Sequence, residues 1–452
     1  MRPLILISLL TTLLIAGVPL QGSAPVDILA NQADLEFPDQ ITFSLQARGD
    51  SQIESIELEY GVDAAACNTD LNRTEPQDFT PGQEIDVEWT WDMRQTGSLP
   101  PGARLWWRWR MVDAAGQETV TETRWITWLD DVHPWQIMQG QGIIMHYYQG
   151  SESFARTLYN AAQNALYRLR LDVGAIPNEV IHFYIYASTE DLHDAILFEP
   201  DWTGGQAYAN YQIVIIGIPE EQLSWGETAV AHEMAHIVIG SQVNNCYSRM
   251  PSWLSEGLAV YAEGGLSGDE AALLQQSIND DTLFEVRSLN DSFSNDRQRA
   301  GLAYAQSYSL VDFLVQTYGR AQMNALLAEF QAGYRADSAL QNIFGFNTDG
   351  LEIAWREYVG AQAHTYLSDQ ETTQPTPYPT FVPYANAPVG ATEAAEPVTE
   401  AAPETDSNSS SPAQIAMLVG GGIGIAVLFA GLGIALRRIS AGAREDDHFN
   451  VR

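Results

Sequence analysis

The segment AVAHEMAHIVIG, residues 229–240, holds His232 and His236 four residues apart, with Glu233 beside the first. On a helix that spacing is about 400° of rotation and ~6 Å of rise, so both imidazoles leave one face and can converge on a single ion. Glu233 lies about 100° round the helix, close enough to act on a water at that ion without ligating it. This is the HExxH arrangement: two imidazole ligands and a general base. A catalytic zinc site also needs a third protein ligand and an open position for water.

The segment PSWLSEGLAVYAEG, residues 251–264, offers that ligand. Glu256 stands in an apolar, helix-like run with Trp253, Leu254, Leu258, Ala259 and Tyr261. A carboxylate buried there would need a cation. The plainer alternative is a carboxylate near a helix N-terminus, with Ser255 beside it. Together with HExxH the first reading is preferred. Zinc is then expected on His232, His236 and Glu256, with Glu233 as the base.

HExxH followed by WLSEGLAVY resembles the gluzincin zinc metallopeptidases, and WLSEGLAVY is similar to the WLNEGFA segment of the zinc aminopeptidases. Nineteen residues separate His236 from Glu256, one more than is usual in those aminopeptidases. The looser, secreted peptidase-MA-like group of gluzincins fits better. YAQSYSLVDFLVQTYG, from Tyr304, also resembles that group. The resemblance covers roughly residues 140–365. It implies an α+β, thermolysin-like catalytic domain that hydrolyses peptide bonds through a zinc-activated water. It also implies Tyr304 as the donor to the oxyanion, with Tyr308 one turn further along as the alternative. Three departures stand beside it. No GxMEN precedes the HExxH helix, so endo- and exopeptidase action both stay open. YAQS replaces the aminopeptidase YxKG. Val260 stands where thermolysin-like enzymes carry an Asp, which leaves Glu263 as one candidate to orient a zinc histidine.

The elements that must position these residues are legible in outline. Segments such as ITFSLQAR, IESIELEYGV, EIDVEWTWDM, RLWWRWRMVD and TETRWITWLD alternate or are rich in β-branched and aromatic residues, with turn signals between them. They predict an all-β sandwich over residues 25–131. WWRWRMVDAAGQ resembles the late strand and turn of fibronectin type III and immunoglobulin-like domains. The tryptophans there read as core and edge residues. From residue 140 to 367 the pattern changes to strands (IIMHYY, VIHFYIYAS, YQIVIIGIP), an amphipathic helix stopped near Gly174, and then mostly helix. Strands followed by helices predict an α+β domain. His133, His146, His182 and His193 read as single histidines on strands or loops.

The chain has 452 residues, 45% of them hydrophobic, enough for two packed domains plus accessory segments. It carries no lysine, and its formal charge of −36 argues against nucleic acid as a partner. Cys67 and Cys246 are the only cysteines. They read as two buried thiols or as an interdomain disulfide. Residues 1–24 show a secretory signal pattern. Residues 368–412 are a Pro/Thr/Glu-rich stalk of disordered composition. Within 413–436, the uncharged run from Ile415 to Leu436 is long enough to span a bilayer. Arg437, Arg438 and Arg444 in the 437–452 tail predict a cytoplasmic C-terminus and an extracellular remainder. The whole reads as a single-pass, membrane-anchored extracellular zinc metallopeptidase acting on peptides or proteins. The rival is a surface binding or adhesion protein with an inactive metallopeptidase-like domain, in which an intact Glu233 would have no use.

Overall fold

The computed structural model describes residues 26–64, 72–96, 99–177, 179–197, 204–294 and 296–363. The expected signal segment, stalk, membrane helix and tail lie outside these residues. Among the described residues no helix is long and apolar enough to cross a membrane.

The N-terminal unit is all antiparallel. It comprises β1 (Val26–Glu36), β2 (Gln40–Val62), β3 (Asn72–Thr74), β4 (Gly82–Asp92), a one-turn α1 (Met93–Thr96), β5 (Ala103–Asp113), β6 (Glu118–Val120) and β7 (Arg124–Trp128). ITFSLQAR and IESIELEYGV, which read as two strands, are the two halves of the 23-residue β2. Its first half pairs with β1 and β4, its second with β3 and β5, and β5 in turn carries β6 and β7. A register shift between Arg48 and Ile53 separates the halves, and irregularities of this kind bend a strand. The halves face each other across a core. The Phe43 ring lies 5.5 Å from that of Trp107, and Trp107 Nε1 donates to Asn31 on β1 at 2.8 Å. The period of two sends Ile41, Phe43, Leu45 and Ala47 inward from β2, and Leu105, Trp107, Trp109 and Met111 inward from β5.

The second unit begins with β8 (Gln136–Gly140), β9 (Ile143–Tyr147), α2 (Glu152–Arg168), β10 (Ile181–Tyr186), α3 (Thr189–Asp194), β11 (Gly205–Tyr208) and β12 (Ile213–Gly217). The sheet runs β11-β12-β10-β9-β8, with β9, β10 and β12 parallel and the two edge strands antiparallel. A parallel pair needs a long crossover, and the 17-residue α2 supplies it between β9 and β10. The Ser151 side chain caps α2 by accepting from the Phe154 N–H, and Gly174, in the left-handed region, ends the turn that follows it. The remaining helices are α4 (Leu223–Val243), α5 (Ser252–Glu263), α6 (Gly268–Asn279), α7 (Arg297–Gln331, broken at Gly319), α8 (Ala336–Phe344) and α9 (Thr348–Val359).

Alternation along the central strands divides the cores. Ile181, Phe183 and Ile185 of β10, with Val214 and Ile216 of β12, pack against the helices. Tyr184, Tyr186, Ile213 and Ile215 point the other way, into one core with Leu105, Trp107 and Trp128 of the N-terminal unit. The two units therefore share a hydrophobic core. Cys246, just after α4, is disulfide-bonded; Cys67 lies outside the described residues.

Gly102 sits at this junction with φ +90°, and a Cβ built on it would lie 2.3 Å from the Tyr184 ring. Overpacking of a tight contact costs about 1–3 kcal/mol, and the positive φ adds to the cost for any L side chain. Gly102→Ala is therefore expected to lower the urea midpoint of the folded protein by an amount in or above that range. An unchanged midpoint would show that the two units are not packed through this contact.

Candidate metal centre

HExxH lies in the middle of α4. This helix runs through the protein interior, packed on β11 and β12 and against α2, α5 and α7. Ala229 to Ile239 are all buried, so α4 has no solvent face over the motif. A helix surrounded by protein is apolar all round rather than striped, and AVAHEMAHIVI is apolar apart from His232, Glu233 and His236.

The third candidate ligand comes from α5. Pro251 precedes the first turn, and Gly264, with φ 113°, closes the last. Its N–H bonds the Tyr261 carbonyl, and the Gly265 N–H bonds that of Val260, satisfying carbonyls that the helix end leaves free. One glycine sets how close α5 comes to α7. A Cβ on Gly257 would stand 2.4 Å from the Ser307 carbonyl oxygen. The residue before it is Glu256, so the same contact fixes the depth of the carboxylate.

His232, His236 and Glu256 converge, each offering one ligand atom, with these atoms all within 4.8 Å of one another. Glu256 Oε2 lies 3.4 Å from His232 Nε2 and 3.5 Å from His236 Nε2. Two ligands each about 2.0–2.1 Å from a tetrahedral zinc stand roughly 3.3 Å apart, so the spacing fits a shared ion. The chemistry of the donors fits as well. His236 Nε2, Glu256 Oε2 and both oxygens of Glu233 are buried with no hydrogen-bond partner among the described residues. Buried polar atoms are normally satisfied, and a cation would satisfy the ligand atoms here.

The ring nitrogens facing away from this point are held differently. His232 Nδ1 lies 2.6 Å from Glu263 Oε1, while His236 Nδ1 lies 3.3 Å from Ser255 Oγ. Burial pushes Glu233 up to about 7, against the pull of the two histidines. Burial also works against ionised Glu256, but the neighbouring histidines, His236 foremost, bring it down to about 2. For His232 burial opposes the charge, and Glu256 and Glu263 outweigh it, raising the group to about 10. The pocket thus attracts positive charge, and a metal ion would take the place of that proton.

The two candidate tyrosines of α7 part company. The Tyr304 ring lies 6.2 Å from that of His232 and meets Phe293 edge-on at 5.2 Å. Tyr308 stacks beside Tyr261 at 6.3 Å, and its hydroxyl lies against Gly265, beyond the far end of α5. Ser255, read from the sequence only as a neighbour of Glu256, turns out to face a histidine. Two histidines read as single are in fact a pair: His146 Nε2 and His182 Nδ1 are 3.1 Å apart. Parallel register aligns His146 with Tyr184 and Ile144 with His182, so both rings share the sheet face away from the metal centre. Burial, with the neighbouring His182, brings His146 down to about 4.

Residues 161–361 match the family model of the Peptidase MA superfamily. The match supports a peptidase-MA-like, gluzincin-type family for this segment and, with it, a metallopeptidase-like function; it does not extend to the zinc aminopeptidases in particular. No curated protein matches the chain. Among solved structures, the chain is similar to the Br derivative of BhCBM56, with TM-score 0.17, 12% identity, and coverage of 24% of this chain and 96% of that one. It is similar to wild-type OgpA from Akkermansia muciniphila, with TM-score 0.19, 12% identity, and coverage of 24% of this chain and 30% of that one. It is also similar to a polysaccharide deacetylase from Bacillus cereus, with TM-score 0.18, 8% identity, and coverage of 38% and 54%. The chain thus spans less than a third of OgpA and about half of the deacetylase. Likeness this slight carries no weight for fold or function.

Gly257 offers a direct test of the geometry. In an open helix Gly→Ala stabilises by about 1 kcal/mol. Here the added methyl meets backbone, where overpacking costs about 1–3 kcal/mol. Gly257→Ala is expected to reduce stability and to weaken metal binding together, because α5 must move with Glu256. Urea unfolding and metal analysis of the purified variant check this; a more stable, fully metal-loaded variant would contradict it.

Proposed function

We propose that the chain is a zinc-dependent peptidase of the gluzincin type, with zinc held by His232, His236 and Glu256. The observation that carries this reading is the convergence of three buried ligand atoms at zinc-like spacing, beside a buried carboxylate that is not needed as a ligand. Zinc bound there supplies Lewis acidity toward water and toward a carbonyl oxygen.

The chain's own residues supply the rest. Glu233, raised toward neutral pH by burial, accepts the proton of the attacking water and passes it to the departing amide nitrogen. A base with a value near the working pH suits both transfers. The Tyr304 hydroxyl donates to the carbonyl oxygen as negative charge develops on it. The N-terminal unit is a β-sandwich of the immunoglobulin or fibronectin kind that supports the catalytic sheet from its second face. The protein acts outside the cell, anchored by a membrane helix at 413–436 through the 368–412 stalk.

Glu233→Gln is expected to keep zinc and fold while peptide cleavage falls about 10²–10⁴-fold. Tyr304→Phe is expected to lose about 10²–10³-fold, as for one oxyanion donor. Both are measured on zinc-loaded full-length protein with a mixed peptide library. Equal cleavage by wild type and Glu233→Gln would reject the assignment, and no cleavage by either would favour the binding-protein reading.

The anchoring has its own test. Protease added to intact cells is expected to release the ectodomain by cutting within 368–412, detected with antibodies to each end. Release of the C-terminal tail instead would reverse the orientation.

A further inference from the structure

We propose that His146 and His182 form an acid-sensitive latch that keeps the N-terminal unit seated on the five-stranded sheet. The proposal is independent of the metal reading, because both rings lie on the sheet face away from the metal centre. His146 Nε2 and His182 Nδ1 are 3.1 Å apart, the ring centres are 5.4 Å apart, and the ring planes differ by 14°. The separation of the centres matches the nitrogen separation plus one ring radius at each end. Both nitrogens therefore lie on the line between the centres, and the rings meet edge to edge in nearly one plane. Their lone pairs oppose each other instead of converging on a third point, as those of two metal ligands do. A single N–H fits between them and makes a straight hydrogen bond.

Proton counting gives the latch its behaviour. The neutral pair holds two ring protons, one in the bridge and one on an outer nitrogen. A third proton takes the remaining outer nitrogen and leaves the bridge intact. A fourth can go only into the bridge, where two N–H groups then face each other and the contact is lost. Tyr184 carries that loss to the junction. Its ring lies flat over His146, with 4.3 Å between centres and 4° between planes. A Cβ on Gly102 of the N-terminal unit would stand 2.3 Å from its hydroxyl. Trp135, on the segment that links the two units, meets the same ring edge-on at 5.7 Å. A His146 ring pushed off His182 therefore displaces the ring against which the N-terminal unit rests.

The surroundings offer little to offset a charge. Ile137 of β8 stands opposite His146, and Ile213 of β12 stands opposite His182. Tyr184 is raised to about 12 by burial and stays neutral. Its ring face favours a cation, and burial works against that preference. Among the described residues, burial and then His182 bring His146 down to about 4, and burial also lowers His182. Once the units part, both rings regain water and the ordinary histidine value of about 6.5. Below that value the parted state binds more protons than the docked one. Docking is thus at full strength above about pH 6.5 and weakens as the pH falls from there toward about 4.

The test is hydrogen exchange of the full-length protein, read by mass spectrometry on peptides spanning the 100–103 turn and the 129–135 link. Rates are corrected for intrinsic exchange at each pH. From His146 alone, docking is expected to weaken about 20–30-fold between about pH 7 and about pH 5, so both regions exchange faster in wild type. His146→Phe keeps a flat ring over Tyr184 and takes no proton. His182→Gln keeps a polar partner for His146 and takes none either. Each is expected to lose part of the acid response, and the double variant nearly all of it. Should the double variant fail to fold at neutral pH, the two single variants carry the comparison. An equal acid response in wild type and variants would overturn the proposal, because they share every other titrating group. A wild type whose two regions stay equally protected down to about pH 5 would overturn it as well.

Discussion

Four ionisable side chains removed from water at one point set the terms for the rest of the protein. His232, Glu233, His236 and Glu256 are 1%, 0%, 6% and 3% exposed. Burying an isolated charge is costly enough that groups shift their ionisation rather than bear it. Without a cation the pocket can recruit only protons, and the upward displacement of His232 and Glu233 is that response. A divalent ion answers the same deficit while leaving Glu233 free to ionise. The apolar character of α4 follows from this. A bound cation would satisfy the ligand atoms of its two histidines from inside the protein, so the helix needs no wet face over the motif.

A helix so placed needs a floor. α4 rests on β11 and β12 of a sheet whose central strands β9, β10 and β12 are parallel, and parallel strands are found almost only with both faces covered. The helices cover one face, and the N-terminal unit covers the other through Trp107, Trp128 and their neighbours. Among the described residues that unit carries no candidate catalytic group. Its contribution is to close the face on which Tyr184 and Tyr186 lie, and so to fix the plane on which α4 sits. β2 makes this possible, because a single bent strand joins both halves of the supporting layer and no loop intervenes to let them drift.

What could be read from the sequence, and what could not, divides along local and long-range lines. The convergence of His232 and His236 was legible because a helix converts four residues into one face, and that of Glu256 because a lone carboxylate in an apolar run demands an explanation. The strands and the stop at Gly174 were legible from alternation and from glycine. β2 was not: ITFSLQAR and IESIELEYGV read as two strands, whereas the chain passes between them through a register shift and keeps pairing. The order of strands was hidden as well, since a crossover helix and an intervening helix look alike until the partners are known. Single histidines gave no hint that His146 and His182 meet, because strand register is a tertiary fact. Ser255 was hidden for the same reason: nothing local says that its hydroxyl faces a residue nineteen positions earlier.

The composition acquires a structural meaning in this light. With no lysine, arginine carries every fixed positive charge of a strongly acidic chain, and the planar fork suits it to bridge elements. Arg168 joins α2 to α5. Arg287 joins the turn before α7 to Asp337 of α8 and Asp349 of α9. Arg356 is buried against Glu352, whose other oxygen accepts from the Val286 N–H. Each cation ties its own segment to another, directly or through the carboxylate it holds, where hydrophobic contact alone would leave polar atoms unsatisfied. The proposed zinc belongs to this series. It would join α4 to α5 through Glu256, with twice the charge and in a deeper site than that of Arg168, which bonds the Ala262 carbonyl. The difference lies in what stands beside it. An arginine bridge is complete once its donors are used, whereas this pocket places Glu233 next to the bridge with neither oxygen engaged. On the proposed reading, a link of the kind that stabilises the fold elsewhere would become a reactive centre here because one carboxylate is left over.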